Sequence, residues 1–176
     1  MLLTAEQIHQ RVRELGEQIT SDYAGGALVV LGVLNGAFVF LADLLRELDL
    51  DCRVDFVAVS SYGDTTQSSG EPEITRRPSL PLAGQRVLLV EDIVDTGRTL
   101  AWLLQWLGSQ AEQVRACCLL DKPSRREVPV RVDYVGFAIP DHFVVGYGLD
   151  FARRYRHLPY VAVLRPEVHT RPPHAG

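Results

Sequence analysis

The sequence predicts a single α/β domain with a mainly parallel, twisted sheet flanked by helices. Three observations predict it. Short apolar runs of strand length alternate with segments of helical period, the pattern of parallel strands joined by covering helices. The chain has 176 residues, 47% of them hydrophobic, which is enough for one core and is not a disordered composition. No internal repeat, low-complexity tract or linker interrupts residues 1–164, so these form one domain. The tail, 165–176, reads RPEVHTRPPHAG and is expected to fray.

The elements follow in order. Thr4 and Gln7 have the spacing of a capping box, and Ile8, Val12, Leu15 and Ile19 share one helical face, so a helix starts here. Residues 23–42 carry no charge, a length that on its own fits a membrane span. Gly25, Gly26, Gly32 and Gly36 interrupt that run, and Asn35-Gly36 is a turn signal. It therefore divides into a buried strand, 27–34, and a helix, 36–48. Residues 53–60 alternate as a strand with Val54, Phe56 and Ala58 on one face, and 86–90 is a short apolar strand. Residues 99–107 are helical, with Trp102, Leu103, Trp106 and Leu107 on a shared face, and 113–120, 132–137 and 160–164 are strands. The polar stretch 60–73 is either a plain solvated loop or a functional lid.

Composition removes several function classes. Acidic residues outnumber basic ones 22 to 18, a net charge of -4, which lacks the basic footprint of a nucleic-acid binder. Seventeen of the cations are arginines and one is a lysine, Lys122. The cysteines, Cys52, Cys117 and Cys118, are odd in number, and the adjacent pair should point to opposite faces of a strand. No disulfide framework is expected, and a reducing cytoplasm fits. There is no CxxC or HExxH for zinc, and the opening MLLTAEQIHQRVRE lacks the pattern of a secretory signal. Neither a membrane nor a nucleic acid is expected as a partner.

The run RVLLVEDIVDTGRTL, 86–100, carries the chemistry. An apolar strand ends in Glu91 and Asp92, passes a turn with Asp95, and enters a helix through Thr96, Gly97, Arg98 and Thr99. Ligands collect at the carboxyl ends of parallel strands, where a helix N-terminus offers free N–H groups to an anion. A phosphate monoester suits this place: Gly97 allows close approach, Thr96 and Thr99 offer hydroxyls, and Arg98 adds charge. Crowded carboxylates need partners, which sugar hydroxyls or a hard cation such as Mg2+ would supply, and Asp95 could accept a proton. The plain alternative is that Asp95 or Thr96 caps the helix while Glu91 and Asp92 face water.

VLLVEDIVDTGRT resembles the phosphoribosyl pyrophosphate motif of type I phosphoribosyltransferases. GVLNGAFVFLADLL at 32–45, VDFVAVSSYG at 54–63, LLDKPSRR at 119–126 and VGFAIPDHFVVGYGLD at 135–150 extend the resemblance to the 6-oxopurine, or hypoxanthine-guanine, branch. It implies that branch's fold, with a small hood and a mobile loop. It also implies a reaction: a purine joins C1 of phosphoribosyl pyrophosphate, pyrophosphate leaves, and Mg2+ assists. The implied products are IMP or GMP, the implied role is purine salvage, and family members are usually homodimers or homotetramers.

The resemblance also assigns residues. Glu91 and Asp92 match the pair that holds the ribose hydroxyls, and Asp95 matches the catalytic group near purine N7. Asp95, Thr96, Gly97, Arg98 and Thr99 match the 5'-phosphate loop. Lys122 matches the donor to the purine 6-oxo group, Phe143 the stacking aromatic, Val144 a backbone contact, and Asp150 a residue near the metal and the base's 2-position. Glu91, Asp92 and Asp150 are the implied metal residues. Asn35, Gly36 and Arg156 match the pyrophosphate side, and Ser61 and Tyr62 the start of the mobile loop. Asn35 stands where many members have lysine, so pyrophosphate recognition here rests on backbone N–H groups, Mg2+ and Arg156. The turn often holds a non-proline cis peptide, here Leu34-Asn35. Two other readings share the fold: an RNA-binding regulator of pyrimidine genes and a xanthine-preferring enzyme. The regulators typically have an aromatic where Asp95 stands. Adenine is disfavoured because Lys122 donates and cannot accept.

Overall fold

The computed structural model describes residues 1–60 and 72–169. Its first helix, α1 (Ala5–Asp22), opens on the expected capping box: Gln7 N–H donates to Thr4 Oγ1 at 3.2 Å, and Thr4 N–H donates to Gln7 Oε1 at 2.9 Å. The buried side of α1 is Ile8, Val12, Leu15, Gly16 and Ile19. Then come β1 (Leu28–Leu34), α2 (Phe38–Arg46), β2 (Cys52–Ser60), β3 (Glu73–Arg76), β4 (Arg86–Val94), α3 (Arg98–Gly108), β5 (Gln113–Asp121) and β6 (Tyr134–Ala138). Two short strands, β7 (Val144–Val145) and β8 (Ala162–Val163), and a four-residue helix, α4 (Pro166–His169), complete the chain.

One sheet runs in the order β3-β2-β1-β4-β5-β6, with every pair parallel except the edge pair β2–β3. From β1 the chain winds outward to β2, and from β4 it winds the other way to β5. The order therefore reverses between β1 and β4, where their carboxyl ends leave a crevice. Helices α1 and α2 pack on one face with Leu28, Val30, Leu88 and Val90, and α3 packs on the other with Val29, Leu31, Val87 and Leu89. Cys117 and Cys118 fall into these opposite cores and are free thiols, as the strand pattern requires.

Several boundaries differ from the sequence reading. The second helix starts at Phe38 because 34–37 form a turn, and it ends at Arg46. In β2 the buried positions are Asp55 and Val57, while Val54 is exposed. Asp55 turns inward because its carboxylate accepts backbone N–H groups from Phe56, Ser79 and Leu80. Strand β4 continues through both carboxylates to Val94, since its ladder with β5 runs on past them. The last apolar run does not join the main sheet: β8 pairs with β7 in a separate two-stranded hood, beside a bridge between Leu3 and Val161. The tail begins in α4, and 170–176 lie outside the described residues. Among the described residues no helix is long and apolar enough to cross a membrane.

Candidate active site

Strand alternation delivers the first part of the site. Leu88 and Val90 point to the α1–α2 core and Leu89 to the α3 core. Glu91 follows Leu89 and is 7% exposed, and Asp92 lies against Gly36 at the end of β1, where a Cβ would overlap its carboxylate. Burial pushes the Glu91 carboxyl well above its usual range, and the charge of Asp92 adds to this. Burial likewise raises Asp92 to about 6, while hydrogen bonds from backbone N–H groups and the charge of Arg156 act against it. Neither carboxylate forms an ion pair with the described residues. Two buried anions, consecutive along the strand, make a site that a cation or a set of hydroxyl donors would relieve.

Gly97 is the N-cap of α3 at φ +82°, a left-handed conformation that suits glycine, and it brings no side chain to cap the helix, although the Thr96 hydroxyl accepts from the first helical N–H. Thr96 Oγ1 lies 3.4 Å from Arg98 N, and Thr96 O accepts from Glu127 N at 2.9 Å. The Arg98 guanidinium turns outward to Glu127, with Nε 2.7 Å from Oε2, so its backbone rather than its charge belongs to the turn.

Lys122 follows β5 directly. Its backbone N–H donates to Val94 O at 2.9 Å, and the side chain is buried at 6% exposure, unlike an ordinary surface lysine. The ammonium lies 3.7 Å from Asp95 Oδ2 and 3.4 Å from Asp141 Oδ1. Arg125 Nε donates to Asp95 Oδ1 at 3.1 Å and lies 3.7 Å from Asp141 Oδ2. Both oxygens of Asp95 thus face cations. Val144 is buried in β7, and Phe143 is 42% exposed with its ring edge-on to Phe151 at 5.7 Å.

On the opposite side of the crevice the peptide Leu34-Asn35 is cis, and Phe38 N–H donates to Asn35 O at 3.4 Å to close the turn. Arg156 donates through Nη1 to Gly148 O at 2.6 Å, and its Nη2 pairs with Asp150 Oδ1 at 2.7 Å. Arg153 N–H donates to Asp150 Oδ2 at 2.8 Å. A cavity of about 890 Å³ beside α2 includes Phe38, Tyr147 and Arg156 in its lining but neither Asp95 nor Lys122.

A family model described as a phosphoribosyl transferase domain matches residues 1–152. The chain is 45% identical to the hypoxanthine-guanine phosphoribosyltransferase of Bacillus subtilis over 170 residues, covering 96% of this chain and 94% of that one. The chain belongs to the phosphoribosyltransferase family. A hypoxanthine phosphoribosyltransferase structure from Staphylococcus aureus superposes with a TM-score of 0.90 at 44% identity, covering 96% of this chain and 92% of that one. The chain is also 45% identical to a bifunctional TilS/HprT protein of Listeria innocua, covering 97% of this chain but 26% of that longer protein.

Within this phosphoribosyltransferase fold, Glu91 and Asp92 lie in β4, and Asp95 and Lys122 meet just beyond the ends of β4 and β5. The crevice also gathers Asn35, Gly36, Asp150 and Arg156 from the β1 turn and the hood connection. Ser61 and Tyr62 lie outside the described residues. Glu91, Asp92 and Asp150 do not converge as a ready-made metal cage: among the described residues no group of three or more such side chains could hold an ion. Asp92 and Asp150 are near enough for Asp150 to raise the Asp92 carboxyl. Sequence reasoning missed Arg125, Arg126 and Asp141. The first two sit in the LLDKPSRR segment that gave Lys122, but nothing in their spacing says that they turn back onto Asp95.

Proposed function

We propose that this chain transfers the 5-phosphoribosyl group of phosphoribosyl pyrophosphate to hypoxanthine or guanine, giving IMP or GMP and pyrophosphate. The observation that carries the reading is that the chain's one lysine is buried beside Asp95, in the turn that leads through Gly97 into the N-terminus of α3. The relatives bear names of the same activity.

In this mechanism the free N–H groups at the start of α3 and the hydroxyls of Thr96 and Thr99 hold the 5'-phosphate. Glu91 and Asp92 accept from the ribose hydroxyls. Lys122 donates to the 6-oxo group, Phe143 stacks on the ring, and the Val144 backbone contacts its edge. The bond from C1 to pyrophosphate breaks with its electron pair on the leaving group, purine N9 bonds to C1, and the N7 proton passes to Asp95. Cationic character on the sugar is stabilised by the nearby carboxylates. Arg156 and the turn at Asn35 and Gly36 receive the pyrophosphate.

The hard oxygen donors of Asp92 and Asp150, with Glu91 behind them, fit Mg2+ held partly by substrate oxygens. When bound, it supplies charge neutralisation to the leaving pyrophosphate. The working form is a cytoplasmic homodimer or homotetramer. Purified protein with phosphoribosyl pyrophosphate and Mg2+, offered hypoxanthine, guanine, xanthine and adenine in turn, tests the reading. Nucleotide is expected from hypoxanthine or guanine and none from adenine, and no product from any base would sink it.

A further inference from the structure

Arg126 stands behind the phosphate turn without facing the crevice. Its Nη1 donates to the main-chain carbonyl of Asp95 at 2.8 Å, and its Nη2 pairs with the carboxylate of Asp121, the last residue of β5. Both side chains are mostly covered, at 18% and 15% exposure. The stem of Arg126 packs under Gly97 so closely that a Cβ there would come within 2.8 Å of Cδ. The next residue continues the brace, since Glu127 N–H donates to Thr96 O at 2.9 Å.

In a trans peptide the C=O and the following N–H point to opposite sides. Drawing Asp95 O toward Arg126 therefore aims Thr96 N–H away from it, and drawing Thr96 O toward Glu127 does the same for Gly97 N–H. These are the donors that a phosphate in the turn would meet. We propose that Arg126, anchored by Asp121, is a positioning residue that orients the N–H groups of the 5'-phosphate turn and locks that turn to the strand end carrying Lys122. A guanidinium suits the task because one rigid fork serves a carbonyl and a carboxylate together, which an ammonium on a flexible stem does not reproduce. The inference rests on reading the turn as the 5'-phosphate site.

The test measures binding of IMP and of phosphoribosyl pyrophosphate, with the KM for hypoxanthine, in wild type, Arg126→Ala, Arg126→Lys and the double variant Arg126→Ala/Asp121→Ala. Loss of one charge-assisted hydrogen bond predicts IMP and phosphoribosyl pyrophosphate weakened about tenfold to a hundredfold in Arg126→Ala, with the hypoxanthine KM within about threefold. Added guanidinium at sub-denaturing concentration should restore IMP affinity, and Arg126→Lys should not. The double variant removes the unpaired Asp121 charge, so it should regain thermal stability while keeping the IMP defect. Recovery of IMP affinity together with stability in the double variant, or an equal loss of IMP and hypoxanthine, would overturn the proposal by making the pair merely structural. Unchanged IMP affinity in Arg126→Ala would overturn the positioning role alone. A wild type that binds no IMP would overturn the phosphate reading and this inference with it.

Discussion

Asp92→Asn is expected to stabilise the metal-free protein at neutral pH while weakening phosphoribosyl pyrophosphate binding. Asp92 is pushed from 3.8 to about 6, first by burial, with Asp150 adding to the effect and Arg156 opposing it. The folded carboxyl keeps its proton where the unfolded chain has already lost it, so folding takes up a proton within that window. The penalty is absent below the unfolded pKa, grows as pH rises, and is complete above the folded value. Each pH unit is worth about 1.4 kcal/mol, so the window amounts to about 3 kcal/mol. Partial exposure of the side chain leaves about 2 kcal/mol of it. Urea unfolding with a chelator present and protein concentration fixed should show Asp92→Asn more stable by about 2 kcal/mol at about pH 8, and by about half that at about pH 5. Glu91 contributes with the same sign, because burial raises it too. An Asn variant less stable than wild type at the higher pH, or a difference that ignores pH, would refute the claim that Asp92 is a desolvated carboxylate kept for its ligand.

Thr4→Ala removes half of the capping box and should lower stability by about 1 kcal/mol in urea titration, with every KM unchanged. Gly36→Ala places a Cβ on the Asp92 carboxylate, so that carboxylate must move aside. Phosphoribosyl pyrophosphate should bind about tenfold or more weakly, and IMP, whose ribose hydroxyls also meet Asp92, should weaken with it in calorimetry. Lys122→Arg should raise the KM for hypoxanthine with little change for the phosphoribosyl substrate, because a planar guanidinium does not fit the buried place of a compact ammonium. Wild-type purine affinity in that variant would remove Lys122 from base recognition.

The helix at the start, the strand-helix alternation and the opposed cysteines were legible because periodicity reports burial directly. Glu91 and Asp92 were legible as chemistry but placed past the end of a strand, since two carboxylates look like a boundary until the ladder with β5 is seen to continue. Asp55 was invisible as a buried residue: its partners Ser79 and Leu80 are far along the chain. Strand β3 was hidden at the edge of a polar stretch, and the run near 160 was assigned a strand but not its separate partner β7. At the site, the carboxylate-rich turn drew attention to Asp95, and the family resemblance to Lys122. Their ring of contacts with Arg125 and Asp141 depends on the fold of 122–128 back over the β4 turn, a tertiary arrangement that no local spacing encodes.

The proposed role of Asp95 as acceptor of the purine N7 proton, in a turn that binds the phosphoribosyl group independently, is decided by Asp95→Asn, with kcat and phosphoribosyl pyrophosphate affinity measured on the same preparation. There kcat should fall by about two to four orders of magnitude with that affinity nearly unchanged. An unchanged kcat would contradict that role.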